Sequence, residues 1–193
     1  MKERTVIHPE EEILSELGQL WSIMLVHIIR KHFPNRTPES VEVLNVDTGA
    51  GFIAGLLGKY GYQVTGIDGK EEMLTLASEK TRKYRRRITL WKMKADDMFF
   101  PDESFDVIIS RDWMDEHRDW EAILKEWHRV LRPGGMILSF DAVHSKGIQI
   151  IEKGGFGLFR IAVDPHIGRF LYYRTQQEPV FPYPLFLTCG VKE

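Results

Sequence analysis

The chain has 193 residues and a formal net charge of −2, with 43% hydrophobic and 28% charged residues. This is the composition of a soluble globular domain, and a chain of this length buries about two-thirds of its unfolded surface. A near-neutral charge argues against a nucleic-acid-binding protein, and the single cysteine, Cys189, excludes an internal disulfide framework and a cysteine-rich zinc site. We therefore expect a cytoplasmic protein.

The first predicted element is an amphipathic helix near the N-terminus. Apolar residues recur at steps of three and four between Ile13 and Ile29. Pro9 falls where the first turn would be, and Pro34 lies just past the last apolar position. This spacing predicts a helix with one buried face.

The same segment is too short to cross a membrane. Its most apolar run, residues 20–29, falls below the roughly 20 residues that a bilayer requires, and it contains His27. No signal-peptide pattern surrounds it. We predict a helical extension, residues 1–40, that packs on a domain formed by residues 41–193, and we predict no membrane association.

From residue 41 onward, short β-branched runs alternate with longer stretches of helical spacing. The runs that read as strands are VEVLNV, YQVTGID, ITLWKM, FDVIIS and GGMILSFD, followed in the tail by LFRIAV and PLFLTCGV. Strands that alternate with crossover helices form a doubly wound, mostly parallel sheet with helices on both faces. We therefore predict an α/β fold with an antiparallel last strand and a ligand site at the strands' C-terminal ends.

The sequence VLNVDTGAG, residues 43–51, indicates a strand that runs into a glycine-rich turn. Gly49 and Gly51 allow a tight turn beside a ligand, and the helix that follows favours anionic groups at its N-terminus. The next strand ends at Asp68, about 20 residues on, where a carboxylate can bind two ribose hydroxyls. The alternative is that Asp68 caps the helix that begins near Lys70.

Three further segments follow in a specific order: VTGID, then ADDMFFPDESFDVIISR, then EAILKEWHRVLRPGGMILSFD. From about residue 41 to the C-terminus, this order resembles class I S-adenosylmethionine-dependent methyltransferases of the small-molecule branch. The resemblance implies a Rossmann-like sheet of seven strands with helices on both faces. It also implies S-adenosylmethionine as the cofactor and methyl transfer to a small-molecule acceptor.

The resemblance further implies that the cofactor contacts lie at the tips of the first, second and fourth strands. At the methionine end these positions are Asn45, Asp47, Gly49, Gly51, Ser110 and Arg111. At the ribose and adenine end they are Asp68, Gly69, Met73, Ala95 and Asp96, with Asp97 as the alternative to Asp96.

Three residues depart from the family pattern, which usually has an acid at position 45, a glycine at 47 and an acid at 94. Asn45 can still hydrogen-bond the loop backbone through its amide. For Asp47 two interpretations stay open: it pairs with the cofactor's ammonium or sulfonium group, or it turns to solvent and accepts a turn N–H. Lys94 is expected to point away from the adenine or to pair with a neighbouring carboxylate.

These departures support an alternative function, a catalytically inactive protein of methyltransferase fold that binds the cofactor or acts as a scaffold. A nicotinamide oxidoreductase is a third possibility, because it shares the glycine turn and the ribose acid. The segments FPDESFDVIIS and HRVLRPGG of this chain belong with methyltransferases rather than with oxidoreductases, so we rank the oxidoreductase last.

The segment RDWMDEHRDW, residues 111–120, is predicted to lie at the reactive end of the cofactor. Methyl transfer needs positioning and at most one general base, and Asp112 and His117 are the candidates. For His117 the pattern favours a surface histidine before the next helix over a catalytic one, and Asp119 is predicted to be the N-cap of that helix. Adjacent side chains point in different directions, so we predict no metal site here.

The basic run EKTRKYRRR, residues 79–87, has two interpretations. Clustered cations can neutralise the phosphates of a nucleic acid, but cations also complement the C-terminal end of a helix. We favour the second interpretation and expect a small-molecule substrate. The sequence leaves the oligomeric state open.

Overall fold

The computed structural model describes residues 16–111, 119–141, 157–158 and 186–192. The helices in these ranges are α1 (Glu16–His32), α2 (Phe52–Lys59), α3 (Glu71–Thr81) and α4 (Trp120–Val130). The strands are β1 (Glu42–Val46), β2 (Gln63–Asp68), β3 (Ile88–Lys92), β4 (Phe105–Arg111), β5 (Leu131–Asp141), β6 (Gly157–Leu158) and β7 (Phe186–Val191).

The strands form one seven-stranded sheet in the order β3-β2-β1-β4-β5-β7-β6. The five strands from β3 to β5 are parallel, and β7 runs antiparallel to both β5 and β6. The predicted doubly wound sheet with an antiparallel last strand is therefore confirmed. Chain order reverses between β1 and β4, and doubly wound folds bind ligands at the C-terminal side of such a switch point.

Helix α1 covers one face of the sheet. Trp21, Leu25 and Ile28 belong to the same buried cluster as α2 and the inner side chains of β1. Trp21 packs against Phe140 near the end of β5, whereas His32 Nε2 donates to the carbonyl oxygen of Gly134, 2.8 Å away, near its start. Helix α1 therefore runs from the C-terminal edge of the sheet to the opposite edge. The predicted domain boundary at residue 40 stays a prediction.

The fifth strand begins earlier than its sequence pattern indicates. We predicted a start at the first glycine of GGMILSFD, whereas β5 begins at Leu131, which pairs with Phe105. A register irregularity between Phe105 and Val107 accommodates the Pro-Gly-Gly segment, in which Gly134 has a φ of 75°. Proline and glycine interrupt regular pairing here without ending the strand.

The first carboxylate of FDVIIS, Asp106, is buried at the edge of the sheet opposite the strand tips. Its Oδ1 pairs with the guanidinium groups of Arg36 and Arg132, at N–O distances of 2.6 and 2.9 Å, and its Oδ2 accepts the backbone N–H of Glu42 at 2.8 Å. The carboxylate thus joins the chain before β1 to the start of β5. It is a structural residue, which the sequence alone did not reveal.

A second charged cluster fixes the segment between β3 and β4. The guanidinium of Arg129 on α4 donates to the carbonyl oxygens of Met98 and Phe100, at 2.8 and 2.7 Å. It also donates to Glu126 and Asp102, and Glu126 in turn accepts the N–H of Met98 at 3.0 Å. These bonds hold the loop that contains the predicted adenine contacts against α4.

This cluster predicts an acid-dependent loss of stability. The hydrogen bonds from Arg129 lower the pKa of Glu126 below its ordinary value of 4.5, and this effect outweighs burial, which raises it. A lowered folded-state pKa stabilises the fold above about pH 4.5, and the contribution disappears as the pH falls through the lowered value. We expect Glu126→Gln to reduce the unfolding free energy by about 1 to 2 kcal/mol at neutral pH.

The measurement is urea unfolding across the acid range, with Glu121→Gln as the control. Glu121 is an exposed residue of the same helix, so its change should cost no more than a few tenths of a kcal/mol. The difference in unfolding free energy between wild type and Glu126→Gln should become smaller below about pH 4.5. A gap that stays constant with pH would contradict the proposed contribution of Glu126.

Candidate functional site

A cavity of about 260 Å³ opens at the C-terminal tips of β1, β2 and β4. Its walls come from the β1–α2 loop, the end of β2, helix α3 and the last residue of β4. The lining residues are Asn45, Asp47, Thr48, Gly49, Ala50, Phe52, Ile53, Asp68, Lys70, Met73, Lys80 and Arg111. The cavity thus lies at the expected switch point of the sheet.

Asp68 fixes the geometry between β2 and the glycine loop. Its Oδ2 accepts the N–H of Gly49 at 2.9 Å, and its Oδ1 accepts the N–H of Lys70 at 2.8 Å. Helix α3 begins at Glu71 with Lys70 in the capping position, so Asp68 does not occupy the N-cap. Each carboxylate oxygen keeps a further lone pair, because an ionised carboxylate has about four acceptor positions.

Asn45 is buried beneath the loop and uses both ends of its amide. Its Nδ2 donates to the carbonyl oxygen of Ile109 on β4 at 3.2 Å, and its Oδ1 accepts the hydroxyl of Thr48 at 2.8 Å. Thr48 lies against Gly66 of β2, where an added Cβ would come within 2.9 Å of the Thr48 hydroxyl. The amide therefore joins the loop to β4, and Gly66 leaves room for it.

Asp47 has a left-handed backbone conformation, with a φ of 49°. Glycine adopts this conformation freely, whereas aspartate does so at a cost of about 1 kcal/mol or less. This geometry explains why the family pattern has glycine at this position. The half-buried side chain of Asp47 lines the cavity, so it lies where a bound ligand would contact it.

The two glycines of the turn have different surroundings. Gly49, with a φ of 53°, lines the cavity, and a Cβ there would meet no atom within 4 Å. Gly51, with a φ of 82°, faces helix α3, and a Cβ there would lie 3.0 Å from Ala77 and 3.1 Å from Thr81. Gly49 therefore gives a ligand access to the backbone, whereas Gly51 allows α2 and α3 to pack closely.

Aromatic side chains form the wall beside the end of β4. The guanidinium carbon of Arg111 lies 5.7 Å from the ring centre of Phe52, within cation–π range. Phe52 meets Trp21 of α1 edge-on at 6.0 Å, and Trp21 contacts Phe140 at 4.8 Å. Helix α1 thus supports the wall at this end of the cavity.

The structure brings together about half of the residues that the sequence indicated. Those that line the cavity are Asn45, Asp47, Gly49, Asp68, Met73 and Arg111. Those that lie outside its lining are Gly51, Gly69, Ala95, Asp96 and Ser110. Ser110 is fully buried, and its hydroxyl donates to the carbonyl oxygen of Val46 at 3.1 Å rather than entering the cavity.

Some predicted residues lie outside the described ranges, and some lining residues were not predicted. The candidate bases Asp112 and His117 lie outside the described residues, so their role stays a prediction, whereas Asp119 is confirmed as the N-cap of α4. Sequence reasoning missed six lining residues, namely Thr48, Ala50, Phe52, Ile53, Lys70 and Lys80. Phe52 and Ile53 could have been found, because they directly follow the turn, whereas Lys80 could not.

Other kinds of site find little support in the described ranges. Within them, no group of three or more metal-ligating side chains comes together, and no helix is long and apolar enough to cross a membrane. The basic run begins in the last turn of α3 and ends at Arg87, whose carbonyl oxygen accepts the N–H of Val64 near the start of β2. Arg87 therefore lies near the edge opposite the cavity, whereas Lys80, at the start of the run, lines the cavity.

The donors and acceptors of the cavity suit S-adenosylmethionine. Asp68 offers acceptors for ribose hydroxyls, Gly49 exposes backbone, and Asp47 offers a negative charge for an ammonium or sulfonium group. Lys80 and Arg111 supply positive charge for a carboxylate. The residues that are present therefore match each charged or polar part of that cofactor except the adenine.

Comparison with known proteins agrees with this match. Residues 44–145 match the methyltransferase domain family. A demethylmenaquinone methyltransferase of Chlorobaculum parvum is 35% identical over 136 residues, which are 67% of this chain and 54% of that protein. A demethylmenaquinone methyltransferase of Tropheryma whipplei is 32% identical over 105 residues, covering 54% of this chain and 43% of that protein.

The fold comparison extends over nearly the whole chain. The crystal structure of a SAM-dependent methyltransferase from Aquifex aeolicus superimposes with a TM-score of 0.69 at 22% identity, covering 97% of this chain and 100% of that one. The chain spans about half the length of the curated relatives it matches. Since the domain match covers more than half of the chain, the protein belongs to the class I S-adenosylmethionine-dependent methyltransferase family, whose cofactor is S-adenosylmethionine.

Proposed function

We propose that the protein transfers a methyl group from S-adenosylmethionine to a small-molecule acceptor. The observation that supports this most is the Asp68 carboxylate, which the N–H groups of Gly49 and Lys70 hold at the cavity. A carboxylate in this position can bind both ribose hydroxyls without rearranging. The altered loop thus keeps the groups that cofactor binding needs.

Each part of the cofactor has a proposed partner. Asp68 holds the ribose, with Gly69 and Met73 near the adenine, while Ala95 and Asp96 approach the adenine from the segment that Arg129 anchors. Asn45, Gly49 and Gly51 shape the loop beneath the methionine portion. Asp47 pairs with the ammonium group, and Arg111 borders the methionine end.

When bound, the cofactor supplies a methyl group on a positively charged sulfur, so the leaving group is already activated. The chain's own residues have to position the acceptor in line and exclude water. We assign general-base candidacy to Asp112 and His117. The variants Asp112→Asn and His117→Gln test whether either residue is a general base. Loss of a base lowers kcat and leaves cofactor affinity unchanged, whereas loss of a surface residue changes neither.

For the acceptor we propose an aromatic small molecule. This proposal is supported by the curated relatives, which are demethylmenaquinone methyltransferases, and by the aromatic side chain of Phe52 at the cavity wall. The test is a screen for S-adenosylhomocysteine release with hydroquinones, catechols and aliphatic amines as acceptors. Turnover with aliphatic amines alone would contradict the aromatic assignment.

The first experiment on the proposed function is calorimetric titration with S-adenosylmethionine and S-adenosylhomocysteine, with NAD as the control ligand. We expect both sulfur ligands to bind and NAD not to bind. Binding of neither sulfur ligand would contradict the proposal and favour a scaffold of methyltransferase fold. Binding of NAD alone would indicate an oxidoreductase.

Replacement of Asp47 tests its proposed charge pairing. We expect Asp47→Gly and Asp47→Asn to weaken S-adenosylmethionine binding by about tenfold, because both remove one partly buried opposite charge. Glycine and asparagine both accept a positive φ, so stability should change by no more than about 1 kcal/mol. Calorimetry and thermal unfolding provide the two measurements, and tighter binding by Asp47→Gly would show the hypothesis to be wrong.

A further inference from the structure

Lys80 is a cation of the cavity that belongs to neither the glycine loop nor the strand tips. It lies in the last turn of α3, and its half-buried side chain lines the cavity together with Gly49 and Phe52. Lysine side chains commonly lie along apolar surface and extend the ammonium group to a polar site. The position of Lys80 therefore depends on how α3 packs against the loop.

That packing is tight at one point. Ala77 and Thr81, one helical turn apart, both approach Gly51, where an added Cβ would lie within 3.1 Å of each. Lys80 is three residues after Ala77, so it projects from a neighbouring position on the same side of the helix. The contact at Gly51 thus holds the base of Lys80 beside the start of α2.

The start of α2 is itself favourable for an anion. Its N-cap residue, Gly51, provides no side-chain hydrogen bond, and the carbonyl oxygen of Gly51 accepts the N–H of Gly55 at 2.8 Å. The N–H groups at a helix N-terminus attract negative charge, and the half-buried ammonium of Lys80 adds to that field. Phe52 and Ile53 of this turn both line the cavity.

The other two cations of the cavity come from other elements of the fold. Lys70 is exposed and directly follows the strand end that holds Asp68, so it belongs to the ribose side. Arg111 lies over the ring of Phe52 at the end of β4. Among the described lining residues, Lys80 is therefore the cation placed by the packing of α3 on the start of α2.

We infer that Lys80 binds the carboxylate of the cofactor's methionine portion, together with the first turn of α2. This inference rests on the proposed function, because it concerns the same bound cofactor. In this arrangement Asp47 and Lys80 recognise the two charges of the amino-acid end separately. The chain would therefore discriminate against ligands that lack the carboxylate.

The test compares S-adenosylhomocysteine with its decarboxylated analogue, which lacks only the carboxylate. Affinities are measured by calorimetry for wild type, Lys80→Met, Lys80→Arg and Arg111→Met. Lys83→Met serves as the matched control, because Lys83 is exposed and lies just beyond α3. Thermal unfolding of each variant shows whether it is folded.

We expect wild type to bind S-adenosylhomocysteine about tenfold more tightly than the analogue, as one charge-assisted contact implies. Lys80→Met should remove this preference by weakening only the carboxylate ligand, while Lys80→Arg and Lys83→Met keep it. Equal weakening of both ligands by Lys80→Met, or loss of the preference in Arg111→Met instead, would overturn the inference. If wild type binds neither S-adenosylhomocysteine nor the analogue, the proposed function fails together with the inference. If wild type binds S-adenosylhomocysteine but Lys80→Met keeps the preference, only the inference fails.

Discussion

Replacing Asp68 by alanine should reduce S-adenosylmethionine affinity by about 100-fold or more. The carboxylate offers two hydrogen bonds to the ribose hydroxyls, and bonds to a charged group contribute about 1.5 to 3 kcal/mol each. The same change leaves the N–H groups of Gly49 and Lys70 without their acceptor, so the loop itself becomes less ordered. We expect the unfolding free energy to fall by about 2 kcal/mol as well.

Two controls separate the ribose contact from loop disorder. Glu72→Ala removes an exposed carboxylate from the first turn of α3 and should leave affinity unchanged. An analogue of S-adenosylhomocysteine without the ribose 2′-hydroxyl should bind wild type more weakly than the parent ligand, whereas Asp68→Ala should not distinguish the two. A variant that still distinguishes them would contradict the ribose assignment of Asp68.

Replacing Asn45 by aspartate should destabilise the protein, although it restores the residue that the family usually has. The buried amide of Asn45 donates to the carbonyl oxygen of Ile109, and an ionised carboxylate has no proton to donate. A buried negative charge would then face carbonyl oxygens. We expect the unfolding free energy to fall by about 2 to 4 kcal/mol.

Denaturant unfolding of Asn45→Asp at about pH 5 and about pH 8 provides the measurement. A protonated carboxyl group can still donate to Ile109, so the loss should be smaller at the lower pH. Asn35→Asp is the matched control, because Asn35 is exposed and its change should have little effect at either pH. A stable Asn45→Asp protein at pH 8 would show that the loop can rearrange around an acid.

The sequence predicted the sheet well because strand alternation and crossover helices depend on local patterns. The strands from β1 to β5 follow from that periodicity, and their parallel arrangement follows from the crossover helices between them. The start of β5 was wrong, because the sequence cannot show that Leu131 pairs with Phe105 across a register irregularity. Pairing across strands is a non-local property.

The candidate site was predictable only where its residues lie in the loop or at strand tips. Asp68 and Gly49 follow directly from the end of a strand and the start of a turn. Lys80 depends on how α3 packs against Gly51, and no local pattern encodes that contact. Thr48 was missed for a related reason, since its hydroxyl matters only because Asn45 lies below it.

Asp106 and Arg129, the central residues of the two charged clusters, lie within FPDESFDVIIS and HRVLRPGG, the segments that make the family resemblance specific. Both clusters join pieces of backbone, and neither residue lines the cavity. The residues that build these two clusters are therefore separate from those that line the cavity. We therefore expect substitution of an exposed lining residue such as Lys70 to change ligand preference without disturbing either cluster.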